Sequence, residues 1–166
     1  MGLMIQALNR EIPEFLRGGV QVRFVGDRAN LSSTVKESIE QAELATAGGS
    51  TLLLNVCFNY GGRWDIVQAA ARLSSKNQQL TEASLAQELA LSHVPDPDLV
   101  IRTGGEQRMS NFLLWQAAYS EFYFSDRLWP DFDAKALDAA FLEFAQRERR
   151  FGKTSRQVQS MPMAAG

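Results

Sequence analysis

The run TLLLNVCFNY, Thr51 to Tyr60, constrains the fold more than any other stretch of this chain. It is nearly continuous in apolar and β-favouring residues, which suits a parallel strand covered on both faces, and so predicts a central position in a sheet. Gly61 and Gly62 follow, and RWDIVQAAARL then has the spacing of a helix.

The flanking segments extend the same alternation. Ile5, Leu8, Ile12, Phe15 and Leu16 recur at helical spacing, with Pro13 predicting a kink or a fresh start and Gly18-Gly19 a stop. VQVRFVG, Val20 to Gly26, alternates as a strand does. Thr34 with Glu37 reads as a capping box that opens a helix ending at Gly48-Gly49. Beyond the polar linker SSKNQQ come a short helix over 84–90, a strand over 99–101 and a helix over 111–118. The β-like YSEFYF, a WPDF turn and a helix over 133–150 follow. Strands alternating with helices predict an α/β domain with a mainly parallel sheet, whose ligands bind at the carboxyl ends of the strands. The loops after Tyr60 and after Ile101 emerge at that face.

Composition removes several classes of function. At 166 residues with 45% hydrophobic content the chain can bury a core, and one domain is expected. Seventeen basic against nineteen acidic residues leave a net charge of −2, so no global basic field points to nucleic acid, and any anion site must be local. The lone Cys57 excludes an internal disulfide framework and a multi-cysteine metal site, and His93, the single histidine, excludes a multi-histidine zinc site. No apolar run approaches the roughly 18–20 residues that span a bilayer. A cytoplasmic location is expected.

Chemistry concentrates in DLVIRTGGEQRMSNFLLWQ, Asp98 to Gln116. Arg102 and Arg108 flank a glycine turn, and Ser110 is expected at a helix N-terminus, so two guanidinium forks, a hydroxyl and backbone N–H groups could converge on one anion. The competing reading is a solvated loop whose arginines pair with Glu106 or Asp98. NYGGR carries two readings as well: a strand-to-helix turn needing glycine for its backbone angles, which we favour, or a ligand-facing loop. Glu121 lies in an aromatic stretch, where a carboxylate requires a cation or a metal unless it faces solvent. Arg147, Arg149 and Arg150 complement a helix dipole at its C-terminal end. Trp115, Trp129 and the aromatics around Phe122 read as core.

Taken in order, NVCFNYGGRWDIV, PDPDLVIRTGGEQRMSNFLLWQAAYSEFYF, LWPDF and RERRFG resemble the cis-prenyltransferases, the family that includes bacterial undecaprenyl diphosphate synthase. The resemblance covers residues 1–153 and leaves 154–166 as a tail expected to be disordered. It implies an α/β fold, a partial parallel-sheet sandwich with flanking helices, and condensation of isopentenyl diphosphate with an allylic diphosphate in the presence of Mg²⁺, for lipid-carrier synthesis. By resemblance Arg102, Arg108 and Ser110, with Met109 in the same turn, bind the diphosphate of isopentenyl diphosphate. Glu121 assists Mg²⁺ across a dimer interface, and Arg150 and Gly152 complete the partner subunit's site. A homodimer is implied, with no nucleic acid partner and at most peripheral membrane contact through the lipid product.

The family's Met-Asp-Gly-Asn-Gly-Arg-Trp motif and its Ser-Glu-Asn-Trp segment have no counterpart among these residues. The resemblance therefore assigns no catalytic residue here, and residues 1–153 read as the C-terminal portion of a synthase domain without its N-terminal strands. Two expectations follow: a fragment of a polyprenyl diphosphate synthase that is inactive alone, or a dimerising product that binds isopentenyl diphosphate without turnover.

Overall fold

The run beginning at Thr51 forms β2 (Leu52–Cys57), paired in parallel with β1 (Val20–Val25) so that Val20 lies opposite Leu52 and Val25 opposite Cys57. The structure is a computed structural model and describes residues 2–147, the side chains of 2–9 excepted. The chain divides into two compact units, residues 1–94 and 95–166.

In the first unit α1 (Gly2–Arg17) precedes β1, and α2 (Ser33–Thr46) joins β1 to β2. The alternation of VQVRFV sends Val22 and Phe24 into the core and Arg23 to solvent. Val35, Ile39 and Ala42 recur along one face of α2 and close over those strand residues, while Ile12 and Phe15 of α1 pack on the same cluster. Burying a side chain such as Ile39 contributes about 1.5–3 kcal/mol. Two β1 amides donate to α2 side chains: Val22 N to Thr46 Oγ1 at 3.0 Å and Phe24 N to Glu43 Oε1 at 2.7 Å. Strand backbone that would otherwise lie open is thereby satisfied.

After β2 come α3 (Gly62–Ser75) and α4 (Glu82–Glu88). In the second unit β3 (Leu99–Arg102) pairs in parallel with β4 (Glu121–Phe124), and a 3₁₀ turn (Trp129–Asp131) leads into α5 (Ala134–Gln146). Asp133 opens α5 by accepting the Ala136 amide at Oδ1, 2.9 Å away. The class is α/β with parallel strands, as expected.

Several local expectations are corrected. β2 pairs only with β1 among the described residues, and its side chains are half-buried or exposed. An apolar run alone cannot distinguish a strand covered on both faces from one with an open side. α1 continues through Pro13 as one helix, so no fresh start occurs there. Ser32, not Thr34, is the N-cap of α2, and it makes no side-chain cap bond; the capping box belongs to Thr81 and Ser84 at α4. No helix forms over 111–118. Ser110 and Leu113 adopt left-handed φ values of 57° and 47°, which break the segment into successive turns despite its helix-favouring composition. Trp129 is 76% exposed rather than core. In NYGGR the residues make the strand-to-helix turn, but the left-handed angle falls on Asn59, φ 52°, and Gly61 is extended at φ −150°. The predicted helix over 133–150 ends at Gln146, and 148–166, with the expected tail, lie outside the described residues.

Candidate functional site

β3 delivers Arg102 to the start of the glycine turn. Gly104 and Gly105 have φ values of 90° and 76°, which glycine adopts without strain, and their amides donate to the carbonyls of Arg127 (2.8 Å) and Ser125 (2.9 Å) beyond β4. The turn is thus fastened to the neighbouring strand's exit. Arg102 Nη1 donates to Ser110 Oγ at 3.0 Å and to the Arg108 carbonyl, while Nη2 pairs with Glu106. Glu106 also pairs with Arg108. Both sequence readings of this loop are therefore visible: the two arginines and Ser110 converge, and the arginines are paired with Glu106. With no helix at Ser110, the backbone contribution expected from a helix N-terminus is absent from the site.

Beneath this basic rim lies a cavity of about 310 Å³, at the lower end of the range of small-molecule pockets. Val100, Ile101, Phe112 and Phe122 give it apolar walls, and Arg102, Arg108, Met109 and Ser110 line the remainder. Phe122 stacks on Phe124 with ring centroids 5.8 Å apart. A cationic mouth over an apolar cavity suits a small amphiphile with an anionic head and a short hydrocarbon tail.

Glu121 does not join this group. In the β3–β4 register it faces Leu99, whereas Arg102 faces Phe124, so three residues, about 10 Å of strand, separate the two positions. The carboxylate meets a cation instead: Arg147 Nη1 donates to Glu121 Oε2 and to the Phe122 carbonyl, both at 2.9 Å, and Arg147 Nη2 donates to Glu143 at 2.5 Å. Arg147 is the C-cap of α5, and these bonds account for it better than the helix dipole. Arg149, Arg150 and Gly152 lie outside the described residues. The pairing of Glu121 with Arg147, 26 residues away, left no local signal in the sequence.

A second, more open cavity of about 700 Å³ lies in the first unit, where Arg23, Arg28, Arg72 and His93 face Glu43 and Glu88. Its charges are largely matched internally, Arg28 to Glu43 at 2.6 Å and Arg72 to Glu88 at 3.4 Å. His93, read as a loop residue, is hydrogen-bonded through Nε2 to Asn55 Oδ1 at 2.9 Å. Burial, and secondarily the Arg23 charge, lower its pKa and favour neutral imidazole. Among the described residues no group of three or more His, Cys, Asp or Glu side chains is arranged to hold a metal ion. None of their helices is long and apolar enough to cross a membrane.

Residues 1–152 match the protein family described as "Putative undecaprenyl diphosphate synthase". An isoprenyl transferase of Neisseria meningitidis serogroup B is 49% identical over 159 residues, covering 95% of this chain and 64% of the relative. The farnesyl-diphosphate-specific ditrans,polycis-undecaprenyl-diphosphate synthase of Pseudomonas aeruginosa is 48% identical, covering 96% of this chain and 66% of that protein. The chain thus spans just under two thirds of these relatives' length. Among solved structures, a probable undecaprenyl diphosphate synthase from Campylobacter jejuni superposes with a TM-score of 0.85 at 38% identity, covering 92% of this chain and 72% of that one. Lavandulyl diphosphate synthase from Lavandula x intermedia, solved with dimethylallyl diphosphate, also gives 0.85, at 32% identity over 90% of this chain and 68% of that one.

Proposed function

Since this chain belongs to the undecaprenyl diphosphate synthase family, as its match over residues 1–152 shows, we propose that it serves prenyl transfer by holding isopentenyl diphosphate in its second unit. The observation carrying this reading is the junction of the Arg102, Arg108 and Ser110 rim with the apolar cavity lined by Phe112 and Phe122. A diphosphate offers paired anionic oxygens to two planar forks, and the five-carbon isopentenyl group suits aromatic and aliphatic walls. The arginines act by position: they fix the diphosphate so that the alkene is aimed at the allylic carbon of the second substrate.

Glu121 fits Mg²⁺ as a donor of one carboxylate oxygen, because this hard ion accepts few protein ligands when phosphate oxygens and water supply the rest. When bound, Mg²⁺ supplies neutralisation of diphosphate charge. Since Glu121 and Arg102 lie at different ends of the β3–β4 pair, this reading assigns Glu121 to the substrates of a partner subunit in a homodimer. Exposed apolar residues support such a partner: Leu137 and Phe141 lie one turn apart on α5, and Leu128 and Trp129 are also exposed. Arg150 and Gly152, outside the described residues, would complete the partner's isopentenyl site.

Calorimetric titration with isopentenyl diphosphate tests the assignment. Arg102→Ala should weaken binding by about 1.5–3 kcal/mol, the range of charge-assisted hydrogen bonds. Arg108, with a side chain 63% exposed against 25% for Arg102, should contribute less. Arg102→Lys should restore little, because an ammonium lacks the fork. Unchanged affinity in both alanine variants would remove the site from this position.

A further inference from the structure

The basic rim of the second unit already contains an anion. One oxygen of Glu106, Oε2, pairs with Arg102 Nη2, and the other, Oε1, pairs with Arg108 Nη2. Two oxygens on one centre, each facing a different guanidinium, reproduce the pattern a phosphate group would make there. The left-handed Gly104 and Gly105 bring the chain round so that Glu106 reaches both arginines. Its side chain is 44% exposed, so water is available to receive the carboxylate if it leaves. Arg102 has other contacts, through Nη1 to Ser110 Oγ at 3.0 Å and to the Arg108 carbonyl, and so does not depend on Glu106 for its place.

We infer that Glu106 is a resident counter-anion: it occupies the diphosphate position in the ligand-free chain, offsets repulsion between the two guanidinium groups, and is displaced by the incoming diphosphate. This rests on the reading of Arg102 and Arg108 as the diphosphate clamp. Its consequence is a threshold. A weakly charged anion that displaces one carboxylate exchanges like for like and gains little. A diphosphate brings more charge and more oxygens than it displaces, so it gains more from the exchange. Displacing Glu106 costs every anion the same free energy, so the ratio of affinities is unchanged, but a weakly held anion is left with little net binding while diphosphate keeps enough.

The test is calorimetry of the full chain with inorganic diphosphate and, separately, inorganic phosphate, comparing the parent with Glu106→Gln, Glu106→Asp and Arg102→Ala. Circular dichroism verifies that each variant is folded. Removing two exposed ion pairs should make Glu106→Gln bind diphosphate about three- to tenfold more tightly. It should also bind phosphate more tightly than the parent, by a similar factor, because the displacement cost removed is common to both ligands. A residue that merely scaffolds the loop would give the opposite sign, since its removal would scatter the arginines and weaken both ligands. If Glu106→Gln does not fold, Glu106→Asp, which keeps the charge but shortens its reach, should show a smaller tightening in the same direction. Unchanged or weaker diphosphate binding in the folded Glu106 variants, with binding still lost in Arg102→Ala, would overturn the counter-anion while leaving the clamp intact. Diphosphate binding that is absent from the parent or indifferent to Arg102→Ala would overturn both.

Discussion

Asp65 carries the clearest energetic prediction. Its side chain is buried, with 1% of the residue exposed, and it joins three segments of the first unit. Oδ2 accepts the Tyr60 hydroxyl from the turn after β2, Oδ1 accepts the Ala90 amide from the chain leaving α4, and Asp65 itself lies in the first turn of α3; both bonds are 2.8 Å. Asp65→Ala removes two acceptors and leaves the Ala90 amide without this partner, at about 1–3 kcal/mol for the orphaned donor, while the Tyr60 hydroxyl can turn toward water. Allowing for the lost bonds themselves, the total is about 2–4 kcal/mol, or a fall in Tm on the order of 5–15 °C for a chain of this length. Asp65→Asn keeps an acceptor for Ala90 and places an amide that can donate to the Tyr60 oxygen, so its cost should stay near 1 kcal/mol. Urea unfolding of both variants, followed by circular dichroism, measures the difference. An alanine variant within about 1 kcal/mol of the parent, or an asparagine variant as damaged as alanine, would refute hydrogen-bond satisfaction as the reason for this carboxylate.

Gly26 has φ 143°, and a Cβ there would lie 2.0 Å from the Phe58 carbonyl oxygen, so Gly26→Ala should lower the urea midpoint more than an alanine at Gly48, where no heavy atom lies within 4 Å. Cys57 is half-buried, and burial followed by the Asp65 charge raises its pKa from 9.0 to about 11. The folded thiol therefore holds its proton where the unfolded thiol has lost it, and stability should fall as pH rises from 9 toward 11. Alkylation of Cys57 at pH 8 should be correspondingly slow until the chain is unfolded. Glu121→Gln, made in a chain that carries the whole synthase, should raise the Mg²⁺ concentration needed for turnover while circular dichroism stays unchanged; an unaltered Mg²⁺ dependence would leave Glu121 only its pairing with Arg147.

What the sequence disclosed was mostly what neighbouring residues decide. Alternation in VQVRFV placed Val22 and Phe24 inside and Arg23 outside, and the two glycines after Thr103 marked a turn that does require left-handed backbone. The convergence of Arg102, Arg108 and Ser110, with Glu106 among them, lies within nine residues of chain and could be anticipated. The helix expected from NFLLWQAA was not found because composition reports propensity, whereas Ser110 and Leu113 are held in conformations that end a helix. Glu121 posed the problem of an unaccompanied carboxylate, but its partner Arg147 is brought to it by the packing of α5 on β4, which no local pattern encodes. The exposure of Trp129 is likewise a property of the surface left by folding, since a large aromatic reads as core wherever it stands in sequence.

Isopentenyl diphosphate is proposed to bind in the second unit, with its diphosphate on Arg102, Arg108 and Ser110 and its hydrocarbon toward the cavity wall. A crystal structure of the chain with isopentenyl diphosphate measures this directly. Phosphate oxygens should lie within hydrogen-bonding distance of both guanidinium groups, with Glu106 turned away from them and the isopentenyl carbons against Phe112 or Phe122. Diphosphate bound instead in the cavity lined by Arg23, Arg72 and His93, with Glu106 still joining Arg102 to Arg108, would contradict it.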